Sequence, residues 1–186
     1  MTHPPTLPDY LGPGLHIVSI GINPSRYSVA QGFYFARPGN RFWPVLATAG
    51  IVPAGLEPCK ATIEILFREH HIGFTDIVKR ATARANELDD EEYRLGAGKL
   101  KKKLHKYQPL IAWFQGGPAF AKYLHHVEAL NRQVRPGLQP ERIGETRVFV
   151  SPNPSGASPA ANPALLLPWY QELRRLRDHL LREARQ

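Results

Sequence analysis

The sequence predicts a three-layer α/β/α sandwich with a central, mainly parallel sheet, and three observations support this fold class. Short, almost wholly apolar segments recur along the chain, as expected of strands buried on both faces. Longer segments with apolar residues at helical spacing lie between them. Strands that alternate with helices favour a parallel sheet covered by helices on both faces.

Three segments are predicted as strands because they are short, apolar and rich in β-branched or aromatic residues. They are residues 15–20 (LHIVSI), 110–114 (LIAWF) and 147–151 (RVFVS). Gly21 ends the first segment and Pro152 follows the last, and both residue types commonly interrupt strands. Residues 141–144 are predicted to pair with the last strand as a short hairpin.

Five further segments have apolar residues at helical spacing. They comprise residues 42–49, 60–70, 91–107, 118–125 and 168–185. Residues 1–14 are rich in proline and glycine and are expected to form a flexible N-terminal lead-in. Because no repeat or low-complexity linker divides the remainder, residues 15–186 are predicted to form a single domain.

The composition limits the classes of partner and cofactor. The chain has 186 residues, with 24 Lys and Arg against 16 Asp and Glu, which gives a formal net charge of +8. This excess favours polyanionic partners, although charge alone is equally consistent with a basic protein that has no special partner. The single cysteine, Cys59, excludes an intramolecular disulfide, a Cys₄ zinc site and a cysteine-ligated iron–sulfur cluster. We recognise no secretory signal and no membrane-spanning run, so we expect a cytoplasmic protein without a membrane partner.

Two predicted strands are followed by the same tripeptide, Asn-Pro-Ser, at residues 23–25 and 153–155. Proline restricts itself and the residue before it, so each asparagine side chain is held in a limited range of directions. Asn-Pro-Ser is also common in ordinary turns. Because ligands bind beyond the carboxyl ends of strands in parallel sheets, two copies at such positions favour a functional rim.

The segment after the first of these loops combines aromatic rings with arginines. Five aromatic residues occur within residues 33–43, interleaved with Arg37 and Arg41. Aromatic faces stack on nucleobases and guanidinium groups bind phosphate, so this combination suits nucleic acid. An aromatic minicore that pins a long loop explains part of the same pattern, with Phe42 and Trp43 as its expected core members.

These motifs resemble those of a known family. Residues 21–24 (GINP), 32–36 (GFYFA), 40–43 (NRFW) and 153–156 (NPSG) are similar to the motifs of the mismatch-specific uracil-DNA glycosylase and thymine-DNA glycosylase family, within the uracil-DNA glycosylase superfamily. Residues 73–75 and 85–87 give less specific support. The resemblance extends over residues 11–181, in order and without large insertions.

The resemblance implies a monofunctional enzyme of DNA base-excision repair that removes uracil, or a related damaged pyrimidine, by hydrolysing its N-glycosidic bond. Such an enzyme must extrude the base from the stack, which costs least at a mismatch such as G·U. The implied partner is double-stranded DNA that carries a G·U or related mismatch. The protein would be a monomer, associated with the nucleoid when bound to DNA, and would need no metal and no cofactor.

The resemblance also implies roles for individual residues. Asn23 is expected to position the hydrolytic water, since an amide oxygen can orient water although it cannot accept a full proton at neutral pH. Phe35 is expected to stack on the extruded base. Ile22 and Ser28 are expected to line the base pocket, with Ser28 near the C5 edge of the pyrimidine. The segment expected to enter the duplex and contact the unpaired guanine comprises Asn153, Pro154, Ser155, Gly156, Ala157 and Ser158.

Three positions depart from the family pattern. Ser25 stands where the family commonly has glycine, which places a side chain where the loop would approach the substrate backbone. Ala157 and Pro159 stand where the family usually has a bulky apolar residue and a basic residue. Because a methyl group fills a vacated base-pair space poorly, we expect faster release of the abasic product than in relatives with a bulky wedge.

Asp76 is a second catalytic candidate. It follows residues 73–75, a short junction from apolar to polar residues that is expected to face the same rim. A carboxylate there would activate the water or stabilise the oxocarbenium ion that forms at the sugar. In isolation, a helix N-cap or a surface charge is the commoner role for such an aspartate.

Two other functional classes fit parts of the pattern. A non-catalytic protein that binds mismatched or damaged DNA would use the same scaffold, although the presence of both Asn23 and Phe35 argues against it. A hydrolase of free nucleosides or nucleotides would leave the positive charge without a role.

The histidine pairs at residues 70–71 and 125–126 suggest a metal, but adjacent helical residues do not face one site, so surface histidines are expected.

Overall fold

The computed structural model describes residues 5–156, 158 and 161–185. Its strands and α-helices are, in chain order, β1 (Ile17–Gly21), α1 (Arg26–Gln31), α2 (Phe42–Thr48), α3 (Lys60–Arg68), β2 (Ile72–Asp76), α4 (Asp90–Tyr107), β3 (Ile111–Gln115), α5 (Gly117–Glu128), β4 (Gly137–Ile143), β5 (Thr146–Ser151) and α6 (Pro163–Glu183). No helix among these is long and apolar enough to cross a membrane.

The five strands form one sheet in the order β2-β1-β3-β5-β4. The pairs β2–β1, β1–β3 and β3–β5 are parallel, and β4 is an antiparallel edge strand paired with β5. The register places Gly21 opposite Asp76 and Gln115 opposite Ser151. The four parallel strands therefore end at the same edge of the sheet, and the loops that follow them meet there.

Alternate residues of the central strands pack into two separate cores. Ile17 and Trp113 face a cluster that includes residues of α2, α3 and α6. Val18 and Phe114 face a second cluster built with residues of α4 and α5. Helices thus cover both faces of a mostly parallel sheet, which confirms the predicted three-layer α/β/α class.

The N-terminal segment differs from the expected flexible lead-in over residues 7–11. Leu7 is only 1% exposed, and Tyr10 pairs with Phe74 of β2 through backbone hydrogen bonds of 2.9 and 3.0 Å. Asp9 accepts hydrogen bonds from the Thr75 hydroxyl and from two lysines. The physical reason is that β2 is an edge strand, whose unpaired backbone groups favour a covering segment.

Two elements were not predicted as such. The sequence predicts only a junction at residues 73–75, because glycine, threonine and aspartate interrupt the apolar pattern of the strand β2. A Cβ at Gly73 would collide with the Tyr10 carbonyl, so this glycine permits the close approach of the N-terminal segment. The short helix α1 was also not predicted, and α6 begins at Pro163 rather than at residue 168. The predicted hairpin is present and longer than expected, with β4 starting at Gly137.

Candidate active site

A cavity of about 240 Å³ opens at the edge where the parallel strands end. Its walls come from the carboxyl ends of β1, β2 and β3 and from the segments that follow β1, β2 and β5. The five residues predicted as catalytic or substrate-binding all line it, and they are Ile22, Asn23, Ser28, Phe35 and Asp76. The topology of the sheet therefore brings together residues that are separated by up to 54 positions in the sequence.

The side chain of Asn23 is fixed by the segment between β2 and α4. Its Nδ2 donates to the Arg80 carbonyl at 2.8 Å and to the Thr82 hydroxyl at 2.7 Å. Both amide protons are used in these bonds, so Oδ1 is the atom left to accept a hydrogen bond from water or a ligand.

The backbone of the loop after β1 is held by the same neighbouring segment. Ile77 N donates to Gly21 O at 3.0 Å, and Val78 N donates to Ile22 O at 2.8 Å. The pairing of β1 with β2 therefore continues beyond the strands and determines where Asn23 lies. This support is encoded more than fifty residues downstream of the loop that it holds.

Asp76 is the last residue of β2 and is only 4% exposed. Its Oδ2 has no hydrogen-bond partner among the described residues. Desolvation raises the pKa of Asp76 to about 7, with the nearby Lys79 and Lys103 acting in the opposite direction. This position excludes both a surface charge and a helix N-cap as its role. At neutral pH the carboxyl group populates both protonation states and can accept or donate a proton.

Gly21 makes room for this carboxyl group. A Cβ at Gly21 would collide with Oδ1 of Asp76, which lies directly opposite in the sheet register. The glycine that ends the first predicted strand is therefore required by the side chain on the neighbouring strand.

Phe35 combines an unusual backbone with a rigid ring. Its φ of 58° is in the left-handed region, which non-glycine residues adopt at a cost of about 1–3 kcal/mol. Its ring stacks on Phe42 with centroids 4.0 Å apart and planes 11° apart, and its carbonyl accepts a hydrogen bond from Trp43 Nε1 at 3.1 Å. Phe42 and Trp43 are buried, as expected of core members. The aromatic minicore thus supports a ring that lines the cavity.

Ser25 begins α1, the helix that carries Ser28. Ser25 Oγ accepts a hydrogen bond from Ser28 N at 3.1 Å, which is the usual contact of an N-cap serine. The two hydroxyl groups also lie 3.1 Å apart, and Ser28 is buried at the cavity wall. The serine that departs from the family pattern therefore positions the start of this helix.

The floor of the cavity contains polar residues that the sequence prediction missed. Gln115, at the end of β3, donates from Nε2 to Ser19 Oγ at 2.9 Å. Trp113 Nε1 donates to Ser151 Oγ at 2.8 Å, and the Ser151 hydroxyl donates to Gln115 Oε1 at 3.5 Å. The signal for Gln115 was available, since it directly follows a predicted strand and precedes two glycines, as a rim residue does.

The loop after β5 approaches the cavity from the other side. Asn153 and Ser155 line the cavity, Pro154 is buried and Gly156 is exposed. Asn153 Oδ1 accepts a hydrogen bond from Ser155 N at 2.9 Å. Ser158 N donates to Ser155 O at 2.8 Å, whereas Ala157 and Pro159 lie outside the described residues. The role of this segment on DNA stays a prediction.

The histidines at residues 125 and 126 differ from the expectation. Together with Asp90 they place one possible ligand atom each within 4.8 Å of one another, and the His126 side chain is only 4% exposed. Adjacent helical residues therefore do converge here. Lys122 Nζ lies 3.4 Å from Asp90 Oδ1, so the ammonium group of this lysine already forms an ion pair with the carboxylate. The prediction that no metal is bound stays a prediction.

Comparison with known proteins assigns the family. A family model described as the uracil DNA glycosylase superfamily matches residues 8–174. The solution NMR structure of a candidate uracil DNA glycosylase from Methanosarcina acetivorans aligns with a TM-score of 0.58 and 22% identity, over 92% of this chain and 96% of that chain. At this identity the structural match shows the fold alone. The family match supports a DNA glycosylase that acts on DNA, and because it spans most of the sequence, the chain belongs to the uracil DNA glycosylase superfamily.

Proposed function

We propose that the protein is a monofunctional, monomeric glycosylase that removes uracil, or a related damaged pyrimidine, from a G·U mismatch in double-stranded DNA. The observation that carries this proposal is the convergence of Asn23, Asp76 and Phe35 on one cavity at the edge of the sheet. An amide acceptor can orient a water, a carboxyl group with a pKa near 7 can take up a proton, and an aromatic ring can stack on an extruded base.

The substrate base must leave the helix to reach this cavity, because the bond between C1′ and N1 is inaccessible within the duplex. In the proposed complex the base stacks on Phe35, whose ring is held in place by Phe42. Ile22 and Ser28 line the same pocket. The mismatch lowers the cost of extrusion, which favours G·U over a Watson–Crick pair.

The proposed chemistry is dissociative. The bond between C1′ and N1 breaks, its electron pair leaves with the base, and an oxocarbenium ion forms at the sugar. Asn23 Oδ1 accepts a hydrogen bond from the water that then bonds to C1′. An amide cannot take the proton that this water releases, so Asn23 orients the water and does not act as a base.

Asp76 supplies the charge and the base that Asn23 lacks. In its ionised form the buried carboxylate would stabilise the oxocarbenium ion and accept the proton released by the water. Its missing hydrogen-bond partner at Oδ2 supports this role, since a buried polar atom usually has a partner.

The loop with Asn153 to Ser158 is proposed to enter the opened duplex and contact the guanine. Ala157 offers only a methyl group in place of a bulky wedge. We therefore expect weak retention of the abasic product. Comparing single-turnover with steady-state excision tests this expectation, and steady-state turnover much slower than the single-turnover rate would contradict it.

The decisive experiment measures base release from labelled DNA containing G·U, A·U, G·T or single-stranded uracil, for the wild type and Asn23→Ala. We expect release from G·U by the wild type and release at least about 100-fold slower by Asn23→Ala, which should still bind the DNA. No release from any substrate would overturn the glycosylase proposal. Binding without cleavage by the wild type would instead favour a damage-binding protein, and preferential cleavage of free deoxyuridine would favour a nucleoside hydrolase.

A further inference from the structure

Two exposed arginines stand at the mouth of the candidate active site. Arg37 belongs to the connection between α1 and α2, and Arg84 belongs to the connection between β2 and α4. Both line the cavity, and both were left without a specific role by the mechanism above.

Among the described residues, no acidic side chain pairs with either guanidinium group, although the Arg84 backbone N–H donates to Glu87 Oε1 at 2.8 Å. Other arginines near this edge are paired, such as Arg80 with Glu92 at 2.6 Å and Arg26 with Glu87 at 3.5 Å. In the described part of the chain, neither Arg37 nor Arg84 forms an ion pair, and the one acidic side chain that lines the cavity is the buried Asp76. The mouth of the cavity therefore carries two positive charges that an external anion can reach.

The two arginines belong to segments that contact different loops at the carboxyl ends of the strands. The segment of Arg84 pairs with the loop after β1, where Thr82 N donates to Pro24 O at 3.3 Å. The segment of Arg37 contacts the loop after β5, where Arg41 N donates to Pro154 O at 3.0 Å. Strands β1 and β5, whose following loops these two segments contact, are two inter-strand spacings apart in the sheet, roughly 10 Å. Both side chains line the one cavity that the extruded base would enter.

We propose that Arg37 and Arg84 bind the phosphates on either side of the extruded nucleotide and hold the damaged strand over the cavity. This inference rests on the proposed glycosylase function. Guanidinium groups bind phosphate oxygens through paired hydrogen bonds, and such contacts position DNA without reading its sequence. The proposal also fits the small side chain expected to enter the duplex at Ala157. A methyl group would hold the opened strand weakly, so contacts with the DNA phosphates would contribute more to holding it.

The test uses the salt dependence of DNA binding, in a background of Asn23→Ala so that the substrate is not consumed. Each lost phosphate contact should reduce the slope of log affinity against log salt concentration by about 0.9. Between 50 and 200 mM salt, Arg37→Ala and Arg84→Ala should each lose about 3.5-fold less affinity than the parent. Arg37→Lys and Arg84→Lys should retain the parental slope, because lysine keeps the charge.

Arg68→Ala is the matched control. Arg68 is exposed and ends α3 just before β2 begins, so it lies at the opposite edge of the sheet. Its substitution should leave the slope unchanged. Slopes of Arg37→Ala and Arg84→Ala equal to those of the parent and of Arg68→Ala would overturn the proposal.

A second measurement locates the contacts. Duplexes with an uncharged methylphosphonate directly 5′ or 3′ of the deoxyuridine should bind the parent more weakly, and each arginine variant should be insensitive to one of the two replacements. Equal sensitivity of parent and variants would show that the arginines contact other phosphates, against the proposal. Uracil release by a protein with intact Asn23 is measured separately. Its absence would defeat the glycosylase proposal, whereas its presence with unchanged slopes would defeat only the arginine proposal.

Discussion

The two Asn-Pro-Ser loops of this protein use the same side chain in opposite ways. Asn23 donates both amide protons to the segment after β2, so its Oδ1 is left as an acceptor. Asn153 accepts a hydrogen bond at Oδ1 from Ser155 N within its own loop, so its Nδ2 is left as a donor. An acceptor suits the orientation of water, and a donor suits contact with acceptor atoms of DNA. One tripeptide thus provides two different chemical groups, depending on which neighbour holds the amide.

The largest expected effect separates the two asparagines. Asn23→Ala should slow single-turnover uracil excision at saturating G·U duplex by about 100-fold or more, because the water loses its orientation. Its DNA affinity should change by less than about threefold. Asn153→Ala should instead weaken DNA binding by about tenfold, the effect expected when one hydrogen bond to a base is lost. Fluorescence anisotropy and rapid-quench excision measure the two quantities, and the same loss pattern in both variants would contradict the assignment.

Asp76→Asn tests the carboxyl group that lines the same cavity as Asn23. Ionisation above a pKa of about 7 creates the form that accepts a proton, so the wild-type excision rate should rise with pH through this value and then level off. The variant should show no such rise and should be slower by up to about 100-fold at pH 8. A variant that retains the wild-type pH profile would remove Asp76 from the mechanism.

The ionisation of Asp76 should also make the free energy of unfolding depend on pH, falling over the range in which the excision rate rises. The pKa of Asp76 is raised in the folded protein from its ordinary value of 3.8, so the folded state binds the proton more tightly than the unfolded chain. Tighter proton binding by Asp76 therefore stabilises the folded state fully below about pH 4, and this stabilisation is lost as the pH rises to about 7. Urea denaturation should therefore show that the free energy of unfolding falls less steeply over this range in Asp76→Asn. The same dependence of the unfolding free energy on pH in both proteins would show that a group other than Asp76 titrates over this range.

The difference between the loops could not be predicted from the sequence, for a specific physical reason. The strands at residues 15–20, 110–114 and 147–151 were recognisable because their residues are apolar on both faces. β2 was missed because its sequence is not uniformly apolar. Gly73 permits close packing of the N-terminal segment, and Thr75 and Asp76 line the candidate active site. The motifs brought Asn23 and Asp76 into the candidate set, but burial of Asp76 and the partners of Asn23 depend on chain segments far away in the sequence.

Thr82→Val examines the contact that distinguishes Asn23 from Asn153. The substitution removes the hydroxyl that accepts from Asn23 Nδ2 at 2.7 Å and leaves the bond to the Arg80 carbonyl. We expect excision to slow by about tenfold at saturating DNA, because one of the two hydrogen bonds that orient the Asn23 amide remains. Ser155→Ala is the control in the other loop, since Asn153 bonds to the Ser155 backbone and not to its hydroxyl. A rate for Thr82→Val equal to the wild type would show that the second bond does not position Asn23.

The smallest effect concerns Ser25, the third residue of the first tripeptide. Ser25 Oγ accepts from Ser28 N at the start of α1, a role that Ser155 does not have, because the next helix in the described chain begins only at Pro163. Ser25→Ala should lower the free energy of unfolding by about 1 kcal/mol, whereas Ser25→Gly should lower it by only about 0.3 kcal/mol, since glycine is tolerated at an N-cap. Urea denaturation resolves the order of the two variants. Equal losses would mean that Ser25 acts through another contact, and the Ser28 hydroxyl 3.1 Å away would be the first to examine, because it lies at the cavity wall.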